Sequence, residues 1–78
     1  MTLLELVLLQ MNRRSAPELQ RMDKWERLYL AEELSSLSSP DTSRTDWNEL
    51  ARALLRLPPR STARQAKEEL LYALRASA

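Results

Sequence analysis

Apolar residues recur along this chain at spacings of three and four, which is the repeat of an amphipathic α-helix. Each run follows a Ser, Thr or Asp that precedes a Glu or Gln by three positions, at Thr2, Ser15, Asp46 and Thr62. That spacing is typical of a capping box, in which each side chain bonds to the other residue's backbone N–H. We therefore predict an all-α fold, a compact bundle of about four helices near 3–12, 16–37, 47–57 and 63–76.

The boundaries between these helices carry further signals. Asp23 also precedes a Glu by three positions, which leaves open a kink or a split within the second helix. A polar connector over 38–45 separates the second helix from the third. Pro58 and Pro59 end the third helix, because proline does not continue a helix, and the short turn predicts a hairpin of the last two helices. A chain of 78 residues forms one domain, 1–78.

The first two helices carry more apolar residues than one buried face needs. In the first, two leucines lie outside the main apolar stripe, and in the second, three large residues lie opposite Leu30 and Leu34. Two interpretations stay open: these helices are sandwiched inside their own bundle, or the surplus residues bind a partner or a second copy. The candidate partner-binding residues are Leu6, Leu9, Trp25, Leu28 and Tyr29.

The formal net charge of +1 conceals an asymmetry between the two parts of the chain. The 29 residues from 50 to 78 hold six basic and only two acidic side chains, whereas 1–49 is acidic overall. A cluster of this kind binds phosphates, or forms a solvated face that nearby glutamates neutralise. The candidate nucleic-acid-binding residues are Arg52, Arg56, Arg60, Arg64 and Lys67.

The same region, from Glu49 to Ala66, resembles a bacterial helix-turn-helix. Ala51 stands where such motifs have a small residue, and 61–67 would open the recognition helix. Pro58 and Pro59 lengthen the turn, and the glycine usual in it is missing. The resemblance implies a DNA-binding segment over 47–76.

Composition narrows the chemistry. The chain has no His, Cys or Gly, which excludes the usual zinc ligand sets, a cysteine nucleophile and glycine-rich phosphate loops. We therefore expect a protein that is not an enzyme and uses no cofactor, metal or small-molecule substrate. The apolar run 3–9 is too short to span a membrane and has its positive charges after it, so we expect no membrane association and a cytoplasmic location.

Surplus apolar surface without catalytic groups favours a small helical protein-interaction module. Such a module acts as a regulator, adaptor or inhibitor by covering a partner protein's surface, and we expect self-association as a homo-oligomer as one form of it. The alternative is a nucleic-acid-binding transcriptional regulator with a degenerate helix-turn-helix at 47–76.

Overall fold

The computed structural model describes residues 2–37 and 43–76, which fold into helices without a strand. The predicted all-α bundle is confirmed. The described residues form five helices, of which one is a single turn: α1 (Leu3–Gln10), α2 (Ala16–Leu19), α3 (Lys24–Ser35), α4 (Arg44–Leu55) and α5 (Ala63–Ala76).

Two of the predicted capping boxes are present in full. The Thr2 hydroxyl accepts from the Glu5 N–H at 3.2 Å, and the Asp23 carboxylate accepts from the Glu26 N–H at 2.8 Å. The box at Asp23 starts a separate helix, so the helix predicted over 16–37 is split, which is one of the two outcomes that the sequence left open at Asp23. Asp23 itself has an extended backbone, because a capping residue sits outside the helix it starts.

The predicted start of the third helix at Asp46 is wrong. The hydroxyl of Ser43 accepts a hydrogen bond from the Asp46 N–H at 3.2 Å, so the helix begins at Arg44. Asp46 then lies in the first turn, where a negative charge is favourable beside the unpaired N–H groups. Of the predicted connector 38–45, residues 38–42 lie outside the described part of the chain, and Arg44 and Thr45 are helical.

Two helices end in a left-handed residue that is not glycine. Asn12, at φ 55°, follows α1, while Arg56, at φ 56° and ψ 35°, follows α4. Beyond α1, the Arg13 N–H donates to the Leu8 carbonyl at 2.8 Å, which is the bond of a Schellman motif that spans six residues. These ends lie at Gln10 and Leu55, two residues before the predicted limits.

The core is built around α4. Trp47 and Leu50 of this helix are fully buried, and α1, α2 and α5 all pack against it, while α3 packs against α5. The predicted pairing of the last two helices is therefore present. Every buried residue in the described ranges is apolar: Leu3, Val7, Met11, Leu19, Met22, Leu30, Ala31, Leu34, Trp47, Leu50, Ala51, Leu54, Ala66, Leu70 and Leu74.

Candidate functional site

Four of the five predicted partner-binding residues are exposed. Trp25 is 71% exposed, Leu9 67%, Leu6 50% and Tyr29 48%, whereas Leu28 is half-buried. Their own bundle therefore leaves these side chains uncovered. Scattered apolar residues are normal on a surface, so their relative positions decide whether they form a site.

Two side-chain contacts place α1 beside α3. Gln10 Nε2 donates to the Tyr29 hydroxyl at 3.1 Å, and the Arg13 guanidinium pairs with Glu26 at 2.5 Å. Gln10, at the end of α1, bonds to Tyr29, whereas Leu6, one turn earlier in α1, lines the same groove as Glu33, one turn later in α3. The two helices therefore run antiparallel here.

A groove of about 200 Å³ lies between the two helices at the end where α1 begins and α3 finishes. Its floor is apolar and consists of the buried residues Leu3, Val7, Leu30 and Leu34. Its rim combines apolar and polar side chains and is formed by Leu6, Gln10, Glu33, Ser36 and Leu37. Since a cavity of about 150 Å³ accommodates benzene, this groove has room for one large apolar side chain.

We use the name α1–α3 surface for this groove together with the two exposed aromatic residues of α3, Trp25 and Tyr29. On α3, residues 25, 29 and 33 are spaced by four, so they follow one another along one side of the helix. Leu9 borders this surface, about 60° around α1 from Leu6 on the side away from Gln10. Leu28 lies about 100° around α3 from Tyr29 and does not belong to it.

The charge on the groove rim comes from Glu33, which is exposed. The segments that form the groove, 3–10 and 28–37, contain neither Lys nor Arg. Their other two glutamates, Glu5 and Glu32, are not among the residues that line the groove. At the other end, Lys24 holds its Nζ 5.2 Å from the centre of the Trp25 ring. The surface thus carries negative charge at one end and a cation beside an aromatic ring at the other.

Sequence reasoning missed the groove and part of its rim. The helical repeat places Leu37 on the same side as Leu30 and Leu34, but Leu37 lies beyond the end of α3 and is 37% exposed. Gln10 and Glu33 look like ordinary polar residues of surface helices, so nothing in the sequence marks them as part of a site. Their contribution depends on the pairing of α1 with α3, which joins residues far apart in the chain.

The predicted basic cluster lies on α4, α5 and the segment between them, and acidic side chains pair with part of it. The Arg60 guanidinium binds Glu69 through two hydrogen bonds, one of them at 2.7 Å, and Arg64 binds Glu68 at 3.0 Å. The hydrogen bond from Arg60 holds the pKa of the Glu69 carboxyl below its usual value. Two of the four predicted phosphate-binding arginines, Arg60 and Arg64, therefore already pair with carboxylates within the molecule.

Lys67 also has partners inside the protein. Its Nζ lies 5.7 Å from the centre of the Trp47 ring and donates to the Leu37 carbonyl oxygen. Arg52 and Arg56 are exposed, and no acidic side chain of the described residues pairs with them. Of the five predicted cations, these two alone would reach a phosphate without exchanging an existing contact.

The acidic residues do not gather into a metal site. Within residues 2–37 and 43–76, no group of three Asp or Glu side chains is placed to hold an ion. The helices described here are all too short or too polar to cross a membrane. Comparison with protein-family models, with curated proteins and with solved structures finds no match to this chain.

Proposed function

We propose that this protein is a non-enzymatic helical interaction module that binds a partner protein through the α1–α3 surface. A module of this kind acts as a regulator, adaptor or inhibitor by occupying its partner. The single observation that carries the proposal is the apolar-floored groove between α1 and α3, which the protein's own helices leave open, with the exposed Tyr29 and Trp25 one and two turns away along α3. Aromatic residues beside a pocket are typical of the positions that dominate protein–protein binding energy.

The groove also defines the chemistry of the partner. The groove, of about 200 Å³, holds one large apolar side chain. Burial of that side chain contributes roughly 1.5–3 kcal/mol to the binding free energy. The rim contains Glu33, so a Lys or Arg next to that apolar side chain is favoured. A partner segment with an aromatic or leucine anchor and an adjacent basic residue meets both requirements, and an amphipathic helix presents them together.

The nucleic-acid alternative has less support from the geometry. Phosphate binding by Arg60, Arg64 and Lys67 would exchange their present contacts for new ones, which reduces the net gain. The helix-turn-helix resemblance also places Glu68 and Glu69 on the helix that would approach DNA. Repulsion between carboxylates and phosphates opposes that approach.

The proposal is tested with labelled helical peptides and fluorescence anisotropy. One peptide carries a Trp anchor with an adjacent Lys, a second has Ala in place of Trp, and a third has Glu in place of Lys. We expect the first to bind saturably, the second about 30-fold more weakly and the third about tenfold more weakly. Leu6→Glu should abolish binding by charging the groove rim, whereas Tyr72→Glu, on the outer side of α5, should leave it unchanged.

Two outcomes would contradict the proposal. Equal affinity for all three peptides, or no loss with Leu6→Glu, would mean that the groove does not bind the anchor. A labelled DNA duplex serves as the competing probe at low salt. Saturable DNA binding that is lost with the double variant Arg52→Ala and Arg56→Ala, without any peptide binding, would favour the nucleic-acid alternative.

A further inference from the structure

The α1–α3 surface carries both a groove and the kind of ligand that fits it. The groove takes a large apolar side chain with a cation beside it, and Lys24 with Trp25 is such a pair, its Nζ 5.2 Å from the ring centre. Trp25 is 71% exposed and lies about two turns of α3 before Glu33 of the groove rim. Within one molecule the two are separated along α3, so Trp25 does not fill its own groove.

We infer that the partner of this surface is a second copy of the chain, which forms a symmetric dimer. The inference rests on the proposed function, because it uses the same groove and names its occupant. In this dimer, Trp25 of each copy enters the groove of the other, and each Lys24 lies beside the other copy's Glu33.

The spacing along α3 permits both contacts at once. Trp25 and Glu33 lie four residues before and after Tyr29, which is about 6 Å in each direction at 1.5 Å per residue. A two-fold axis that passes beside Tyr29, perpendicular to α3, therefore brings Trp25 of one copy to the level of Glu33 of the other. Rows of residues spaced by four, such as 25, 29 and 33, interlock in the commonest class of helix packing.

The charges favour this antiparallel arrangement. The acidic groove end of one copy meets the end of the other that carries Lys24, and the symmetry repeats the contact. A parallel arrangement would bring Glu33 of both copies together, which like-charge repulsion opposes. The same surface therefore selects a second copy and sets its direction.

Sedimentation equilibrium on the full chain tests the dimer through variants that exchange the charges of Lys24 and Glu33. We expect a wild-type dimer, and each of the single variants Lys24→Glu and Glu33→Lys should raise the dimer dissociation constant by about tenfold or more. The double variant should restore wild-type affinity, because exchanged charges again meet opposite charges. These side chains are exposed, and circular dichroism checks that each variant keeps its helices.

Trp25→Ala gives a second measurement with a matched control. Loss of a large anchor raises the dissociation constant about 30-fold for each copy, so this variant should be a monomer at concentrations where wild type is a dimer. Tyr72→Ala removes a comparably exposed aromatic residue, 76% against 71%, from α5 and should remain a dimer. The inference would be overturned if Trp25→Ala left the dimer unchanged. It would also be overturned if the single variants Lys24→Glu and Glu33→Lys weakened the dimer and the double variant did not restore it.

The peptide assay separates this inference from the proposed function. Trp25→Ala keeps the groove, so its monomer should bind the Trp–Lys peptide more tightly than wild type does, since no second copy competes. A monomeric wild-type protein that binds the peptide would overturn the dimer and leave the interaction module in place. A dimer broken by Trp25→Ala, whose monomer then binds no peptide, would support self-association and contradict a module for other partners.

Discussion

Arg56 provides the sharpest test of the fold, because it holds a left-handed backbone at the end of α4 without being glycine. At φ 56° and ψ 35°, its N–H donates to the Arg52 carbonyl at 2.9 Å and closes the last turn. In this region the Cβ of an L-residue crowds the backbone, at a cost of about 1–2 kcal/mol. Arg56→Gly removes the Cβ and keeps the hydrogen bond.

The expected gain is smaller than the relieved strain. Glycine gives the unfolded chain more freedom, which offsets about 0.4–1 kcal/mol. We expect Arg56→Gly to raise the free energy of unfolding by about 0.5–1 kcal/mol, and hence the Tm by about 2–8 °C for a domain of this size. Thermal and urea unfolding followed by circular dichroism measure both quantities.

Two matched variants separate backbone from side-chain effects. Arg56→Ala removes the side chain but keeps the Cβ, so its stability should stay within a few tenths of a kcal/mol of wild type. Arg52→Gly places glycine one turn earlier, inside α4, where it should lower stability by about 1 kcal/mol. If Arg56→Gly destabilised the protein as Arg52→Gly does, the left-handed end of α4 and the reasoning from it would be refuted.

Three further variants test the capping boxes and an ion pair. Asp23→Ala should cost about 1 kcal/mol of unfolding free energy, because it removes the carboxylate that accepts from the Glu26 N–H at the start of α3. Ser15→Ala, at a cap with no side-chain hydrogen bond, should cost a few tenths, and equal effects in urea titrations would count against the assigned caps. Because Arg60 lowers the folded-state pKa of Glu69, this carboxylate stabilises the fold above its unfolded pKa, and the contribution is lost as the pH falls through the folded value. Glu69→Gln should therefore flatten the acid side of the stability profile, and an unchanged profile would contradict the pairing.

Local signals in the sequence were sufficient for most of the helix starts. Thr2 and Asp23 bond to residues three positions away, so short-range spacing predicts them. The start of α4 was misplaced because Ser43 and Asp46 are both good capping residues, and the choice between them depends on where Trp47 must enter the core. The end at Arg56 had no signal, since glycine normally marks such a position and this chain has none.

Only part of the candidate site could likewise be predicted from local signals in the sequence. The exposure of Leu6, Trp25 and Tyr29 follows from their surplus over one helical face, which a helical wheel detects. The groove depends on the register of α1 against α3, which is held by Gln10 and Tyr29, 19 residues apart. The hydrophobic periodicity of a single helix does not show how that helix aligns with another. Likewise, the basic cluster was counted correctly, but the pairing of Arg60 with Glu69 across the loop was visible only in the fold.

The two tryptophans of this chain occupy opposite environments. Trp47 is fully buried under Lys67, while Trp25 is 71% exposed near the start of α3. A water-soluble fluorescence quencher reaches Trp25 but not Trp47 while the protein is folded. The unlabelled protein therefore contains two optical reporters: Trp25 shows when the α1–α3 surface is covered, and Trp47 shows whether the bundle beneath it is intact.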